Sequence, residues 1–315
     1  MSSTPLLTVV VFAYKQAAFI DAAIDSALGQ QGEPIEVLLS DDASPDDTYA
    51  RMQAKAAAYQ GPHQVVVRRN ERNLGIGGHF NAVMEAARGE MVLIMAGDDI
   101  SLPERAHRTL DAWESTGRRA DLIASHVVDM SFEGEDLGVI QVADLAKWQS
   151  MADWCRERPY VIGAAHAISK RLFQRFGPMA LDCHYEDQVN TLRAIAAGGA
   201  CTIDAALVRY RQGGMSSAAA HRRAGPVERR ALLRAASARH LAVHQQWHRD
   251  AALAGCLPEV VKATEREWHR ERYAAALVAG PDHEWPALSL LWDRNYRVSA
   301  GWRLDKWRRV AQRGG

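Results

Sequence analysis

Surplus charge is the first thing missing: 38 Lys and Arg stand against 38 Asp and Glu, a formal net charge of +0. A chain without a basic excess lacks the electrostatic footprint of a nucleic-acid binder. Cysteine is scarce, and Cys155, Cys183, Cys201 and Cys256 form no Cys-x-x-Cys pair. That pattern excludes a disulfide framework and fits free thiols in a reducing compartment. No His-Glu-x-x-His zinc motif occurs among the 12 histidines, so His79, His107, His126 and His166 read as polar or buried packing residues. Ser216-Ser217 lacks a Gly-x-Ser-x-Gly elbow, which argues against a serine hydrolase. No apolar run approaches the roughly 20 residues that span a bilayer. No basic region precedes the first apolar stretch, so no signal peptide is expected and the protein should stay in the cytoplasm.

What is present begins with two short apolar runs, Leu7–Ala13 and Ile35–Ser40, which read as buried parallel strands. Between them Phe19, Ile20, Ala23, Ile24, Ala27 and Leu28 recur at helical spacing, closed by Gly29 and Gly32, completing a βαβ unit. The second strand runs into Asp41-Asp42-Ala43-Ser44-Pro45-Asp46-Asp47. There Ser44 reads as an N-cap, Pro45 as the first helical residue, and Asp46 and Asp47 as structural acids at a helix start. Asp41 and Asp42 precede the cap, at the strand's carboxyl end where open α/β sheets bind ligands, and are site candidates.

A third strand, Gln64–Arg68, leads into the glycine-rich segment Asn70–Asn81 and a helix through Ala87. Glycines there let backbone approach a ligand closely. No Gly-x-Gly-x-x-Gly follows the first strand, which excludes a nicotinamide site of the usual kind. The most informative feature comes next: the apolar run Met91–Ala96 ends in Gly97-Asp98-Asp99. Alone, this is an ordinary polar turn. In this company it suggests two carboxylates neutralised by a hard divalent cation, Mg²⁺ or Mn²⁺, that also holds substrate phosphates.

The ordered set Val11-Phe12-Ala13-Tyr14-Lys15, Leu39-Ser40-Asp41-Asp42-Ala43-Ser44, Asn73-Leu74-Gly75, Arg88-Gly89-Glu90 and Gly97-Asp98-Asp99 resembles that of the family 2 glycosyltransferases, inverting enzymes with the GT-A fold. Further on, Gly163–Ile168 and Phe173–Pro178 look like the acceptor-side segment of that family, and His184-Tyr185-Glu186-Asp187 matches its Glu-Asp motif. The resemblance implies an α/β catalytic domain over residues 1–214, with a mostly parallel central sheet flanked by helices, followed by a helical C-terminal region over 215–315.

Position by position, the resemblance implies that Ala13 and Tyr14 border the nucleotide base and that Asp41 or Asp42 accepts from its imide. It puts Asn73 and Asp98 in the nucleotide-sugar site and Asp99 on the Mn²⁺ or Mg²⁺. Asp187 matches the general base, with Glu186 orienting it or binding acceptor hydroxyls. The implied donor is a UDP-, dTDP- or GDP-sugar, the implied acceptor a glycan or lipid-linked glycan, and the implied setting bacterial surface polysaccharide synthesis. The chemistry agrees: leaving phosphates need their charge stabilised and an attacking hydroxyl needs a base, so the two jobs fall to separate groups.

Two departures stand out. The family's usual Pro-x-Tyr-Asn is here Phe12-Ala13-Tyr14-Lys15, which brings a positive charge with no assigned partner. Many relatives carry a histidine shortly after a Tyr-Arg pair, whereas this chain reads Arg209-Tyr210-Arg211-Gln212-Gly213. Arg209, Arg211 or His221 would then contact the diphosphate, or the two arginines are surface charges flanking a buried Tyr210. Two other functions compete: a nucleotide-binding scaffold descended from a transferase, and a sugar-1-phosphate nucleotidyltransferase, which usually opens with a Gly-rich loop absent here.

Beyond Gly214 the chain turns rich in alanine, arginine and tryptophan, with Arg222, Arg223, Arg229, Arg230, Arg234 and Arg239 along a helical pattern. Its end, Trp302-Arg303-Leu304-Asp305-Lys306-Trp307-Arg308-Arg309-Val310, reads either as a membrane-surface helix suited to a lipid-linked acceptor at the inner face of the cell membrane, or as a packed helix with a basic face or a homo-oligomer contact.

Overall fold

A computed structural model describes residues 5–212 and 226–269, apart from 259 and 267. The chain divides into two compact units, Met1–Gly214 and Met215–Gly315. The first opens with three strand–helix pairs: β1 Leu7–Ala13, α1 Ile20–Leu28, β2 Glu36–Asp41, α2 Thr48–Ala58, β3 Gln64–Arg69 and α3 Gly75–Ala86. Then come β4 Met91–Ala96, β5 Ile100–Ser101, α4 Arg105–Ser115, β6 Leu122–Met130, β7 Asp136–Ile140 and α5 Met151–Arg156. A 3-10 turn at Leu145–Lys147 lies before α5, and a second, Gly163–Ala165, precedes β8 His166–Ser169, α6 Lys170–Phe176, α7 Glu186–Ala197 and β9 Ala200–Arg211.

The strands form one sheet in the order β3-β2-β1-β4-β8-β6-β9-β5, with β7 on the free part of β6. β1 to β4, β6 and β9 run one way; β5, β7 and β8 run against them. The sheet is therefore mostly parallel by strand direction, with antiparallel β8 joining its two halves. Val9, Val11, Val37, Leu39, Leu93 and Met95 are buried against the apolar stripe Ile20, Ala23, Ile24 and Ala27 of α1, so the helical spacing read from sequence is the face that meets the sheet.

The Arg88-Gly89-Glu90 segment works at the sheet end remote from the strand termini that carry the acids. Buried Glu36 accepts from Thr8 Oγ1 at 2.6 Å and from Arg88 Nε at 2.6 Å. Gly89 N donates to Thr8 Oγ1 at 2.8 Å, and a Cβ on Gly89 would lie 2.5 Å from Thr8 N. This segment is a clasp between strands, and only glycine fits it.

The structure corrects the expected start of the second helix. α2 begins at Thr48, not Pro45; Asp46 Oδ1 accepts from Thr48 N at 3.2 Å and Thr48 Oγ1 at 2.6 Å. Ser44 instead accepts from Lys15 N at 2.9 Å and donates its own N–H to Asp41 Oδ2 at 3.0 Å. Ala43, at φ 58°, turns the chain between strand and helix. Gly77 also serves another purpose than ligand approach. A Cβ there would meet Ala180 O at 2.6 Å and Cys183 O at 2.7 Å, while Asn81 exchanges hydrogen bonds with Met179 N and O. The glycine admits the backbone that leads into α7.

In the second unit the helix Pro226–Leu253 buries Trp247, Val243 and Ala251, and Thr264 Oγ1 lies 3.5 Å from His248 Nδ1. His221, Arg222, Arg223 and the tail 302–310 lie outside the described residues. Among the described residues no helix is long and apolar enough to cross a membrane.

Gly77→Ala should cost about 1–3 kcal/mol through overpacking against the two carbonyls. Urea unfolding of the full chain reads this as an earlier midpoint for the first unit; an unchanged midpoint would show that 180–183 yields freely.

Candidate active site

The sheet register brings the acids together. Ala13 pairs with Asp41 and Phe12 with Ala96, so β1, β2 and β4 end on one level. Asp42 N donates to Ala13 O at 2.9 Å and Gly97 N to Phe12 O at 2.7 Å, tying the three strand ends. A side chain at Gly97 would strike Gln16 Oε1 at 2.6 Å and Ile20 Cδ1 at 2.8 Å, which is why glycine precedes the acid pair.

On the β2 side, Asp42 Oδ1 accepts from Asn70 Nδ2 at 2.7 Å and Leu74 N at 2.9 Å, and its Oδ2 from Gly75 N at 3.1 Å. It thereby caps α3 and fixes the Asn73-Leu74-Gly75 loop. Asp41 is fully buried and pairs with Arg69 Nε at 3.1 Å, yet its Oδ1 has no partner. Lys15, at φ 57°, sets its ammonium 5.1 Å from the Tyr14 ring centroid, so the charge unassigned in sequence lies on an aromatic face.

At the end of β4, Asp98 and Asp99 are both buried. Asp99 Oδ1 accepts from Arg211 N at 2.8 Å, whereas Oδ2 is buried without a partner. Burial, and then the adjacent Asp98, push the Asp99 carboxyl up to about 8; burial also raises Asp98. Beneath them Arg105 is fully enclosed. It donates to Ser101 Oγ at 3.0 Å, Ile94 O at 2.8 Å and Ala164 O at 2.9 Å, and its charge partly offsets Asp99. Sequence reading overlooked this residue, though a signal exists: Arg105, Thr109 and Trp113, spaced by four, form the buried stripe of α4.

Arg209 and Arg211 are braces. Arg209 pairs with Asp136 at 2.7 Å and donates to Gly134 O at 2.9 Å. Arg211 donates to Asp98 O at 3.0 Å and Phe132 O at 2.6 Å, and lies 4.5 Å over the Phe19 ring. Between them Tyr210 is held protonated, up to about 12, by burial and then by the charges of Asp99, Asp98, Tyr160 and Asp187. One phenol thus feels Asp98, Asp99 and Asp187, which are far apart in sequence.

The second pair opens α7. Burial and the charge of Asp187 push Glu186 up to about 8; burial raises Asp187 to about 6 despite a hydrogen bond from Gln188 N at 2.7 Å. Gly163 lies flat against them: a side chain there would collide with Glu186 Oε1.

No cluster of three or more metal-ligating side chains occurs among the described residues. The Asp98-Asp99 pair, with its unpartnered buried oxygen, fits a hard cation that draws its other ligands from phosphate and water.

The sequence matches the model named "Glycosyl transferase family 2" over residues 8–175, more than half of the chain. The chain belongs to glycosyl transferase family 2. The succinoglycan biosynthesis protein ExoO of Rhizobium meliloti is 29% identical over 214 residues, 65% of this chain and 60% of that one. The putative glycosyltransferase EpsH of Bacillus subtilis is 29% identical over 150 residues, 46% of this chain and 39% of that one. Among solved structures, S. aureus TarS in complex with UDP-GlcNAc superposes with TM-score 0.57 at 16% identity, covering 97% of this chain and 90% of the other. The mannosyltransferase PcManGT from Pyrobaculum calidifontis, in complex with GDP-Man and Mn²⁺, gives 0.56 at 17% identity, covering 99% and 87%. The shared architecture is the GT-A fold, as the motif order implies.

Two outcomes follow. A carboxyl with a raised folded pKa holds its proton more tightly in the native chain, so stability is lost as pH climbs from the ordinary carboxylate range to the folded value. Metal-free protein should therefore melt at lower temperature as pH rises from about 5 to about 9, and Asp99→Asn should flatten that slope. Arg105→Met should cost about 1–3 kcal/mol by leaving the buried Ile94 and Ala164 carbonyls without their donor. A double-mutant cycle with Asp99→Asn should recover part of the loss; strict additivity would show that Arg105 does not serve Asp99.

Proposed function

We propose that this family 2 chain is an inverting, metal-dependent glycosyltransferase that moves a sugar from a nucleotide donor to a hydroxyl of a glycan or lipid-linked glycan in polysaccharide synthesis. The observation that carries the reading is two acid pairs, Asp98-Asp99 buried after β4 and Glu186-Asp187 half-buried at the start of α7, of which Asp98, Asp99 and Asp187 all raise the Tyr210 phenol. The solved relatives' complexes with UDP-GlcNAc and with GDP-Man and Mn²⁺ support it by analogy of fold, and the succinoglycan role of ExoO supports the pathway class.

In this reading Tyr14 stacks on the base and Asp41, with Oδ1 unpaired, accepts from its imide; Asp42, already taken by three donors, shapes the loop carrying Asn73. Asp98 and Asp99 hold the Mn²⁺ or Mg²⁺, which when bound supplies positive charge to the departing diphosphate. Arg209 and Arg211 hold the surrounding loops. Asp187 takes the proton from the acceptor hydroxyl as its oxygen attacks the anomeric carbon from the face opposite the diphosphate, and a single displacement inverts that carbon. Glu186, raised to about 8, is the protonated partner near neutrality and donates a hydrogen bond to the acceptor or to Asp187. A nucleotidyltransferase fits less well because the turn after β1 is Tyr14-Lys15 and not a glycine-rich phosphate loop. A bare scaffold would have no use for the cost of two buried acids, Asp98 and Asp99, and two half-buried ones, Glu186 and Asp187.

Thermal-shift titration with UDP, GDP, dTDP and CMP, each with and without Mn²⁺ or Mg²⁺, should show metal-dependent stabilisation by one diphosphate. Asp99→Asn should remove the metal dependence. Asp187→Asn should keep donor binding and lose turnover by about 10²-fold or more; retained turnover removes it as base. Because the base acts ionised and burial raises it to about 6, the rate should fall as pH drops through that value.

A further inference from the structure

Tyr160 is a large aromatic residue left 58% exposed, in the extended link between α5 and the Gly163–Ala165 turn. Its main chain is fixed, since Tyr160 O accepts from Ala143 N at 2.8 Å. Three residues on, Gly163 packs against Glu186, and Asp187 Cβ is 3.7 Å from where a Gly163 side chain would begin. Three residues of chain reach at most about 10 Å, which keeps the Tyr160 backbone near the Glu186-Asp187 pair that Gly163 packs against. On the opposite wall, Asp129 of β6 is in register with Tyr210 and accepts from Gln212 Nε2 at 2.6 Å. Burial first, and then the charges of Asp187 and Asp129, push the Tyr160 phenol above its ordinary range, as a ring near both acids requires.

An exposed ring on a fixed backbone beside a base offers apolar surface to a ligand, and aromatic side chains bring large contact area at low entropic cost. A pyranose offers the complement: a C–H face for the ring and equatorial hydroxyls for carboxylates at its edge. We propose that Tyr160 is the stacking platform of the acceptor subsite, holding the C–H face of a pyranose so that one hydroxyl points at Asp187 while Asp129 accepts from another. This rests on the transferase reading, and it deepens that reading by naming the residues that dock the acceptor sugar at the base.

The test uses saturation-transfer NMR of the full chain with UDP or GDP and Mg²⁺, and methyl glycosides of glucose, galactose, mannose and N-acetylglucosamine as probes. The wild type should bind at least one glycoside, Tyr160→Ala should weaken it roughly tenfold, and Tyr160→Trp should retain it. Affinity for the nucleoside diphosphate should move less than about twofold, because Tyr160 sits on the acceptor side. In turnover, the loss should fall on the acceptor KM. Wild-type glycoside affinity in Tyr160→Ala, or no glycoside binding to the wild type, overturns the subsite. Tyr160-dependent glycoside binding without transfer from any donor keeps the subsite and overturns the transferase reading instead.

Discussion

Two carboxylates buried side by side at the end of β4 are the constraint around which the rest of the first unit is arranged. Burying one ion costs several kcal/mol, and a second like charge beside it adds repulsion that a low-dielectric site does not screen. The fold answers with one buried cation, Arg105, one backbone donor, Arg211 N, and a glycine that lets the turn close over Gln16 and Ile20. These offset only part of the cost, since Asp99 still titrates at about 8 and keeps an oxygen without a partner. A structure that needed only stability would place a neutral turn there. The residual unfavourable charge is stored for a ligand that brings positive charge.

The same economy explains the second pair. Glu186 and Asp187 open α7, where the helix dipole favours negative charge, but their burial against Gly163 outweighs it and raises both. Their environments separate them, one near 8 and one near 6. Two carboxyls with separated affinities for a proton suit the roles proposed for them, Asp187 as the acceptor of the hydroxyl proton and Glu186 as its protonated neighbour.

The first half of the fold was legible because β1, β2 and β4 are continuous apolar runs, the pattern of strands covered on both faces, and α1 shows its stripe. The second half was not. β6 and β9 pair with register shifts around Ser125, His126 and Val127, which break the alternation that marks a strand, and β8 is four residues long. The acid pairs announced themselves by position after apolar runs or by motif order. Arg105 and Tyr160 did not, because one matters through carbonyls brought in from β4 and the 163–165 turn, and the other through what fails to cover it. Ser44 misled because a serine before a proline is a cap by local rule; the left-handed Ala43 and the waiting Lys15 amide claimed it first.

The arginines at the end of β9 settle into a consequence for charge balance. Arg211 bridges the Asp98 carbonyl, the Phe132 carbonyl and the Phe19 ring, while Arg209 is paired with Asp136. Presenting either as a fork to a diphosphate would break bonds that hold the Asp98-Asp99 turn and the loop between β6 and β7 in place. Lys15 lies on Tyr14 and Arg105 is sealed beneath the site. Among the described residues these cations are committed to positioning, so in the proposed reaction a cation at the open oxygen of Asp99 would supply counter-charge to the leaving diphosphate. The strength of metal dependence would then read how completely Arg209 and Arg211 are held in their structural roles.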